Sequence, residues 1–219
     1  MTDPAFDAAY AGQYGIVCGT DEAGRGPLCG PVCAAAIVLP DGFTLPGLDD
    51  SKKLTEKKRE RLYDEIVAGA LAYGIALSTP AEIDEYNILG ASLLAMRRAV
   101  EQVKKTVTPG VVLIDGNRQT DFGVPSVTVV HGDALSPSIA AASILAKVTR
   151  DRIMTELDKA YPGYGLAKHK GYPTAEHMLA VYELGAPEIY RKSFLSFLER
   201  DREKLAAALE KKKAEKTHE

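Results

Sequence analysis

Cysteine is scarce in this chain. There are three in 219 residues, Cys18, Cys29 and Cys33, all near the N-terminus and in apolar context. An odd number so placed excludes a disulfide framework, and no nearby histidine or further cysteine turns Cys29 and Cys33 into a zinc site. They read as small core residues in a reducing compartment. Long apolar runs are also missing, and none approaches the roughly 18 residues of a membrane span. The start, Met1-Thr2-Asp3-Pro4, lacks the basic-then-apolar order of a signal peptide. The cytoplasm is the expected location, with no membrane partner. Charge of one sign is lacking too: 27 basic residues face 30 acidic ones, for a formal net charge of −3. Global charge therefore does not advertise a binder of polyanions. No internal repeat and no linker divides the chain. The length suits one domain with a full core, expected over residues 1–199 with its C-terminal helices. The charged stretch 200–219 is expected to be a helical or disordered tail.

What is present is ordered α/β patterning. Ile16 to Thr20 reads as a short buried strand, and Val32 to Leu39 as a second, closed by Pro40-Asp41-Gly42. The short link between them predicts an antiparallel pair. Thr55 is placed to cap a helix whose stripe is Leu62, Tyr63, Ile66 and Val67. Tyr73 to Leu77 reads as a third strand. Pro80 and Glu82 open a helix with Leu89, Leu93, Met96, Val100 and Val103 at helical spacing. Val111 to Ile114 is a continuous apolar run, as in a strand covered on both faces. Val127 to Val130 reads as a fifth strand. Ser136-Pro137 opens an alanine-rich helix to about Lys159, Tyr161 to Gly165 is a loop, and Thr174 caps a helix through Glu183. These elements predict a mixed α/β sheet.

Three of the strands run into acids: Asp21-Glu22, Asp115 and Asp133. Adjacent carboxylates at the end of a buried strand repel unless a cation or a proton intervenes. Ligands gather at strand ends in open sheets. Gly24-Arg25-Gly26 follows directly, a backbone able to approach an anionic ligand closely. Together these point to a metal-dependent enzyme acting on a phosphate ester. Basic residues add local anion-binding capacity at Lys52, Lys53, Lys57, Lys58, Arg59 and Arg61, and again at Lys168-His169-Lys170, although a solvated helix face is the commoner meaning of such a cluster. Asp151 sits inside a helix beside Arg150 and Arg152, where a salt-bridged structural role fits better than ligation. Asp121 is a plain loop acid. No Ser-His or Cys-His pairing stands out.

The blocks Gly19-Thr20-Asp21-Glu22-Ala23-Gly24-Arg25-Gly26-Pro27, Asp50-Ser51-Lys52-Lys53-Leu54, Ile114-Asp115-Gly116-Asn117, Gly132-Asp133 with Ile139 to Asp151, and His169-Lys170-Gly171-Tyr172-Pro173-Thr174 resemble, in order, those of ribonuclease HII, the type 2 ribonuclease H. The resemblance runs from about Gly15 to Phe197 and leaves out the tail. It implies a ribonuclease H-like mixed five-stranded sheet flanked by helices, with a helical C-terminal extension. It implies an endonuclease that cuts the RNA strand of RNA–DNA hybrids and incises 5′ of single ribonucleotides embedded in duplex DNA, in ribonucleotide excision repair, leaving 5′-phosphate and 3′-hydroxyl ends. A monomer is expected.

By that resemblance Asp21, Glu22, Asp115 and Asp133 are the catalytic, metal-holding acids, with Asp21 bridging, and the cofactors are Mg²⁺ or Mn²⁺, two ions during catalysis. Two such ions on hard oxygen ligands supply a water nucleophile, charge stabilisation and a stabilised leaving oxygen. Gly24, Arg25 and Gly26 resemble the turn that reads the ribose 2′-hydroxyl, the group that separates RNA from DNA. Tyr172 resembles the tyrosine that packs on the sugar beyond the cut. Lys52, Lys53 and Lys170 are expected on phosphates, positioning without reading sequence, and Ser51 and Asn117 can add polar contacts. His131, His169 and His177 are not expected to be catalytic. A dinucleotide loop is disfavoured by its spacing, by a strand where a helix should follow, and by the acids beside it. The sister type 3 enzyme lacks the Gly-Arg-Gly turn and usually adds an N-terminal domain. A noncatalytic scaffold would not need four acids.

Overall fold

A computed structural model describes residues 2–48 and 54–216. Its frame is a five-stranded mixed sheet, with β1 (Val17–Ala23), β2 (Val32–Val38), β3 (Ala72–Ser78), β4 (Val111–Asp115) and β5 (Ser126–Val129) in the spatial order β3-β2-β1-β4-β5. β1 pairs antiparallel with β2 and parallel with β4; β2 and β3 are antiparallel, β4 and β5 parallel. The short β1–β2 link gives the antiparallel pair expected of it.

Side chains alternate across a strand, and β2 shows both faces covered. Val32, Ala34, Ala36 and Val38 pack with Ala91, Ala95, Ala99 and Val103 of α3 (Pro80–Lys104). Cys33, Ala35 and Ile37 pack with Leu62 and Ile66 of α2 (Glu56–Gly69) and with Ala141 and Leu145 of α5 (Pro137–Ala160). Burying the face of β2 on both sides explains why it is apolar throughout. Gly19 lets α5 lie directly on β1: a Cβ there would stand 2.3 Å from the Ser138 carbonyl carbon. All three cysteines are free and buried, as their composition suggested.

Helix boundaries follow local chemistry. Thr55, Thr79, Ser136 and Thr174 each accept a backbone N–H as N-cap of α2, α3, α5 and α7 (Ala175–Leu184). Thr79 and Glu82 complete a reciprocal capping box. α3 is broken at Asn87, whose φ of 58° interrupts the helix and whose side chain caps Leu89 and Gly90 N–H.

Two pieces depart from the sequence reading. Residues Pro4–Tyr14 form α1, which was not expected. No residue of it is fully buried, so no amphipathic stripe marks it; Phe6, Tyr10 and Tyr14 pack only partly against Val111 and Leu113. Its Asp7 docks it, accepting from the Ser136 hydroxyl at 2.6 Å and the Ser138 N–H at 2.9 Å at the start of α5, where a negative charge meets the positive helix end. The stretch after β5 is also not a plain loop: Gly132–Leu135 form a single turn, α4. Beyond α6 (Leu166–His169) and α7, a short turn at Lys192–Phe194 leads to α8 (Phe197–Arg200) and α9 (Arg202–Lys216). Phe197 and Leu205 are buried there against Met154, Leu166 and Val181.

Candidate active site

Thr20 of β1 pairs with Ile114 of β4, and the next residue on each strand is an acid, Asp21 and Asp115. The sequence placed Asp21 and Glu22 after a short strand. They lie inside it, because β1 stays paired with β2 beyond β4's reach, Asp21 opposite Ala35 and Glu22 opposite Ala34. Antiparallel pairing, not the end of the apolar run, sets where this strand stops.

Asp21 is 4% exposed. Burial pushes its carboxyl pKa well above the usual carboxylate range, and the charges of Glu22 and then Asp115 push the same way. The Ser143 hydroxyl on α5 and the Glu22 backbone N–H, 2.7 Å from Oδ1, pull in the opposite direction. Asp115 has a different partner. Its Oδ1 accepts the backbone N–H groups of Gly132 at 2.8 Å and Asp133 at 3.3 Å. The chain reaches that position because His131 takes a left-handed φ of 57°, so that the open N–H groups of α4 meet the acid. Asp133 is thus in a helical turn rather than at a strand-to-loop boundary, and it is buried.

Asp and Glu oxygens are the hard donors that Mg²⁺ and Mn²⁺ take. Asp21 tests the fit. A carboxylate this buried, with two acids as its charged neighbours, is costly to ionise until positive charge arrives. The residues fit a divalent cation in donor chemistry and in electrostatics. Among the described residues no three His, Cys, Asp or Glu side chains already form a metal-holding cluster. Asp21, Glu22, Asp115 and Asp133 are therefore neighbouring acids rather than a finished cage.

Beside the acids lies the Gly24-Arg25-Gly26 turn. Gly24 is buried at φ 98°, and a Cβ on it would stand 2.0 Å from Arg150 Nε, so only glycine fits. Arg25 is exposed, and its Nη1 lies 3.3 Å from Glu22 Oε1. Gly26 faces outward, with a Cβ position 3.3 Å from Tyr172 Cε1. Tyr172 is 45% exposed. Its N–H donates to the His169 carbonyl at 2.9 Å, and its own carbonyl accepts the Thr174 N–H at 2.8 Å. Leu28 N–H donates to the Gly171 carbonyl, tying the two segments together.

The histidines support that loop. His169 and His177 stack with centroids 4.1 Å apart. His169 Nδ1 accepts the Gly171 N–H, so its proton is on Nε2, donated to the Tyr164 carbonyl at 2.8 Å. His177 Nδ1 donates to the Tyr172 carbonyl, and its Nε2 accepts from the Tyr190 hydroxyl. Burial pushes His177 down to about 4. Both rings hold the loop by hydrogen bonds from opposite ring nitrogens.

Other expected contacts fall elsewhere. Lys170, expected on a phosphate, takes a left-handed φ of 50°, and its Nζ donates to Thr155 Oγ1 at 3.2 Å with a side chain only 14% exposed. Its side chain is turned back onto α5 rather than outward. Lys52, Lys53 and Ser51 lie outside the described residues. Asn117 is exposed, and Asp121 accepts the Gly123 N–H within its loop. Asp151 is salt-bridged as expected, but to Lys147 at 2.5 Å and Arg59 at 3.8 Å, while Arg152 pairs with Glu60.

Three residues were not singled out from sequence. Ser143 holds Asp21, and its signal was only its position in the alanine-rich helix. Arg150 and Arg191 are the largest fully buried side chains. The sequence marks Arg150 only as a neighbour of Asp151, and nothing local distinguishes Arg191.

A family model described as Ribonuclease HII matches residues 18–197. A protein named Ribonuclease HII from Burkholderia mallei (strain SAVP1) is 55% identical over 193 residues, covering 88% of each chain. The crystal structure of the ribonuclease H2 from Pyrococcus horikoshii OT3 superposes with a TM-score of 0.68 at 27% identity, covering 85% of this chain and 99% of that one. RNase HII from the PCNA complex of Archaeoglobus fulgidus gives a TM-score of 0.67 at 25% identity, covering 81% and 93%.

Proposed function

The chain belongs to the ribonuclease HII family and is an endonuclease of the ribonuclease H type, a hydrolase of phosphodiester bonds, and from that premise we propose that it incises duplex DNA 5′ of single embedded ribonucleotides as well as cutting the RNA strand of hybrids, leaving 5′-phosphate and 3′-hydroxyl ends. One observation carries this reading. Asp21, buried on the central strand, has Glu22 and Asp115 as its charged neighbours, directly beside a glycine turn and a half-exposed tyrosine.

Asp21, Glu22, Asp115 and Asp133 would hold Mg²⁺ or Mn²⁺. Two such ions supply charge stabilisation at the scissile phosphate and acidify a water to the nucleophile. The chain's own residues do the rest. Ser143 and the Glu22 N–H orient Asp21. The first turn of α4 holds Asp115 through its Oδ1, and the residue would serve as one of the metal ligands. The turn at 24–26 presents backbone polar groups to a ribose 2′-hydroxyl. Arg25, exposed and resting on Glu22, would move to a phosphate oxygen as a charge-assisted contact. Tyr172 offers an aromatic face to the next sugar. Lys52 and Lys53 are assigned to backbone phosphates. The free, buried cysteines suit a reducing cytoplasm.

The test is an incision assay on a DNA duplex carrying one ribonucleotide, with Mg²⁺ or Mn²⁺ and with chelator. Incision 5′ of the ribonucleotide, lost in chelator, is the expected result. Cutting of long hybrids alone would overturn the single-ribonucleotide reading, and binding without incision of either would overturn catalysis.

A further inference from the structure

Arg150 and Arg191 are buried side by side beneath the loop that carries the Gly24-Arg25-Gly26 turn, 1% and 0% exposed. Buried arginines ordinarily meet a carboxylate. These meet main-chain carbonyls. Arg191 Nε donates to Gly30 O at 3.1 Å; Nη1 to Arg25 O at 3.1 Å and Pro27 O at 2.7 Å; Nη2 to Gly24 O at 2.7 Å and Gly30 O at 3.0 Å. All five guanidinium donors are used. Arg150 donates to Pro31, Cys29 and Lys170 carbonyls at 3.1, 3.2 and 3.0 Å. It thereby joins the same loop to the segment that bears Tyr172.

The geometry has a directional consequence. A trans peptide plane points its C=O and N–H to opposite sides. Drawing the Gly24 and Arg25 carbonyls inward turns the N–H groups of Arg25 and Gly26 outward, to the exposed side that Tyr172 flanks. We infer that Arg191, seconded by Arg150, is a positioning residue that sets ribonucleotide preference by aiming the Arg25 and Gly26 amides at the 2′-hydroxyl. The inference rests on the reading of this turn as the 2′-hydroxyl contact. Two cations this close repel, and burial together with Arg150 lowers the Arg191 pKa to about 9. Keeping both in place is therefore not the least costly way to close a loop.

The experiment measures binding rather than turnover. Affinity for a duplex with one ribonucleotide is compared with affinity for the same all-DNA duplex, in chelator, by fluorescence anisotropy. Arg191→Lys keeps a cation but loses the planar fork that reaches four carbonyls. The preference for the ribonucleotide duplex is expected to fall about ten-fold, with all-DNA affinity unchanged. A purely structural arginine would lower both affinities with the folded fraction and leave their ratio intact, which overturns the inference. If Arg191→Lys does not fold, Arg150→Lys decides on the same ratio. Gly26→Ala, on the outer face of the turn, separates the two levels. If it leaves the preference untouched, the reading of the turn fails. If it removes the preference while the arginine variants keep theirs, only the role of the arginines fails.

Discussion

Two groups of buried charge adjoin the same Gly24-Arg25-Gly26 turn, one on the strand leading into it and one bonded to its carbonyls, and are treated in opposite ways. Arg191 has an acceptor for every donor. Asp21 has two hydrogen-bond donors and two like charges. The first arrangement is complete in the protein alone; the second is complete only when something positive is added. Burial by itself does not separate a structural charge from a functional one, since both are almost wholly covered. Whether the protein itself supplies the partners does: every donor of the guanidinium is taken up by a carbonyl, whereas the carboxylate faces two acids. Asp151 belongs with the arginines, being satisfied by Lys147 and Arg59. The contrast yields experiments.

The largest effect is expected at Asp21. Asp21→Asn removes the acid held closest to its neighbours while keeping volume and hydrogen-bonding capacity. Turnover on the ribonucleotide duplex should fall by about 10³-fold or more. In chelator the variant should be the more stable protein, by about 1–2 kcal/mol, since a strained buried charge is gone. The sign follows from linkage. A carboxyl whose folded pKa is raised destabilises the fold at neutral pH and ceases to do so as pH falls towards the ordinary aspartate range, so the gap should narrow on acidification. Thermal unfolding of both proteins in chelator, at neutral and acid pH, checks this. A variant less stable than the parent at neutral pH would move Asp21 into the structural class.

Asp151→Asn should behave in reverse. It leaves Lys147 and Arg59 facing each other without their acid, at a cost of about 2–3 kcal/mol. Asp151 lies roughly two helical turns, about 12 Å of rise, beyond Ser143 on α5. Incision per folded molecule should therefore be unchanged. Denaturant unfolding and active-enzyme-normalised rates separate the two quantities, and a rate lost without stability would break the contrast.

How far the sequence anticipates this depends on where the partners are. The acids stand out in sequence because each comes shortly after an apolar run, although the structure puts Asp21 and Glu22 inside β1 and Asp133 in α4, and the element order follows from caps at Thr55, Ser136 and Thr174. That β1 lies beside β4, bringing Asp21 to Asp115, is pairing across the chain, and a run such as Val111 to Ile114 does not name its neighbour. The Arg191 contacts are less legible still. Its acceptors are carbonyls of Gly24 to Gly30, groups every residue possesses, so no side-chain pattern betrays them. The placement of Lys170 is equally hidden. The residue belongs to a basic run, yet its left-handed backbone folds the side chain onto Thr155. The α4 turn is hidden because its purpose, aiming N–H groups at Asp115, involves no distinctive side chain.

The smallest expected effect lies at Tyr172, and it sharpens the same contrast from the loop side. Its backbone is fixed from both ends, N–H to the His169 carbonyl and C=O to the His177 ring. Only the half-exposed ring is uncommitted, lying over Gly26. Tyr172→Ala should therefore leave the loop in place and remove one stacking face. On the proposed reading the ring would meet the adjoining deoxyribose at a single embedded ribonucleotide, and base or sugar stacking contributes about 1–3 kcal/mol. A long hybrid offers 2′-hydroxyls on either side of the cut and depends less on any one contact. Single-ribonucleotide incision should thus drop about ten-fold and hybrid cleavage by less, measured as kcat/KM on the two substrates. Equal losses would mean that the ring steadies the loop rather than senses the junction. Tyr172 would then be, like Arg191, a residue whose work is done inside the protein.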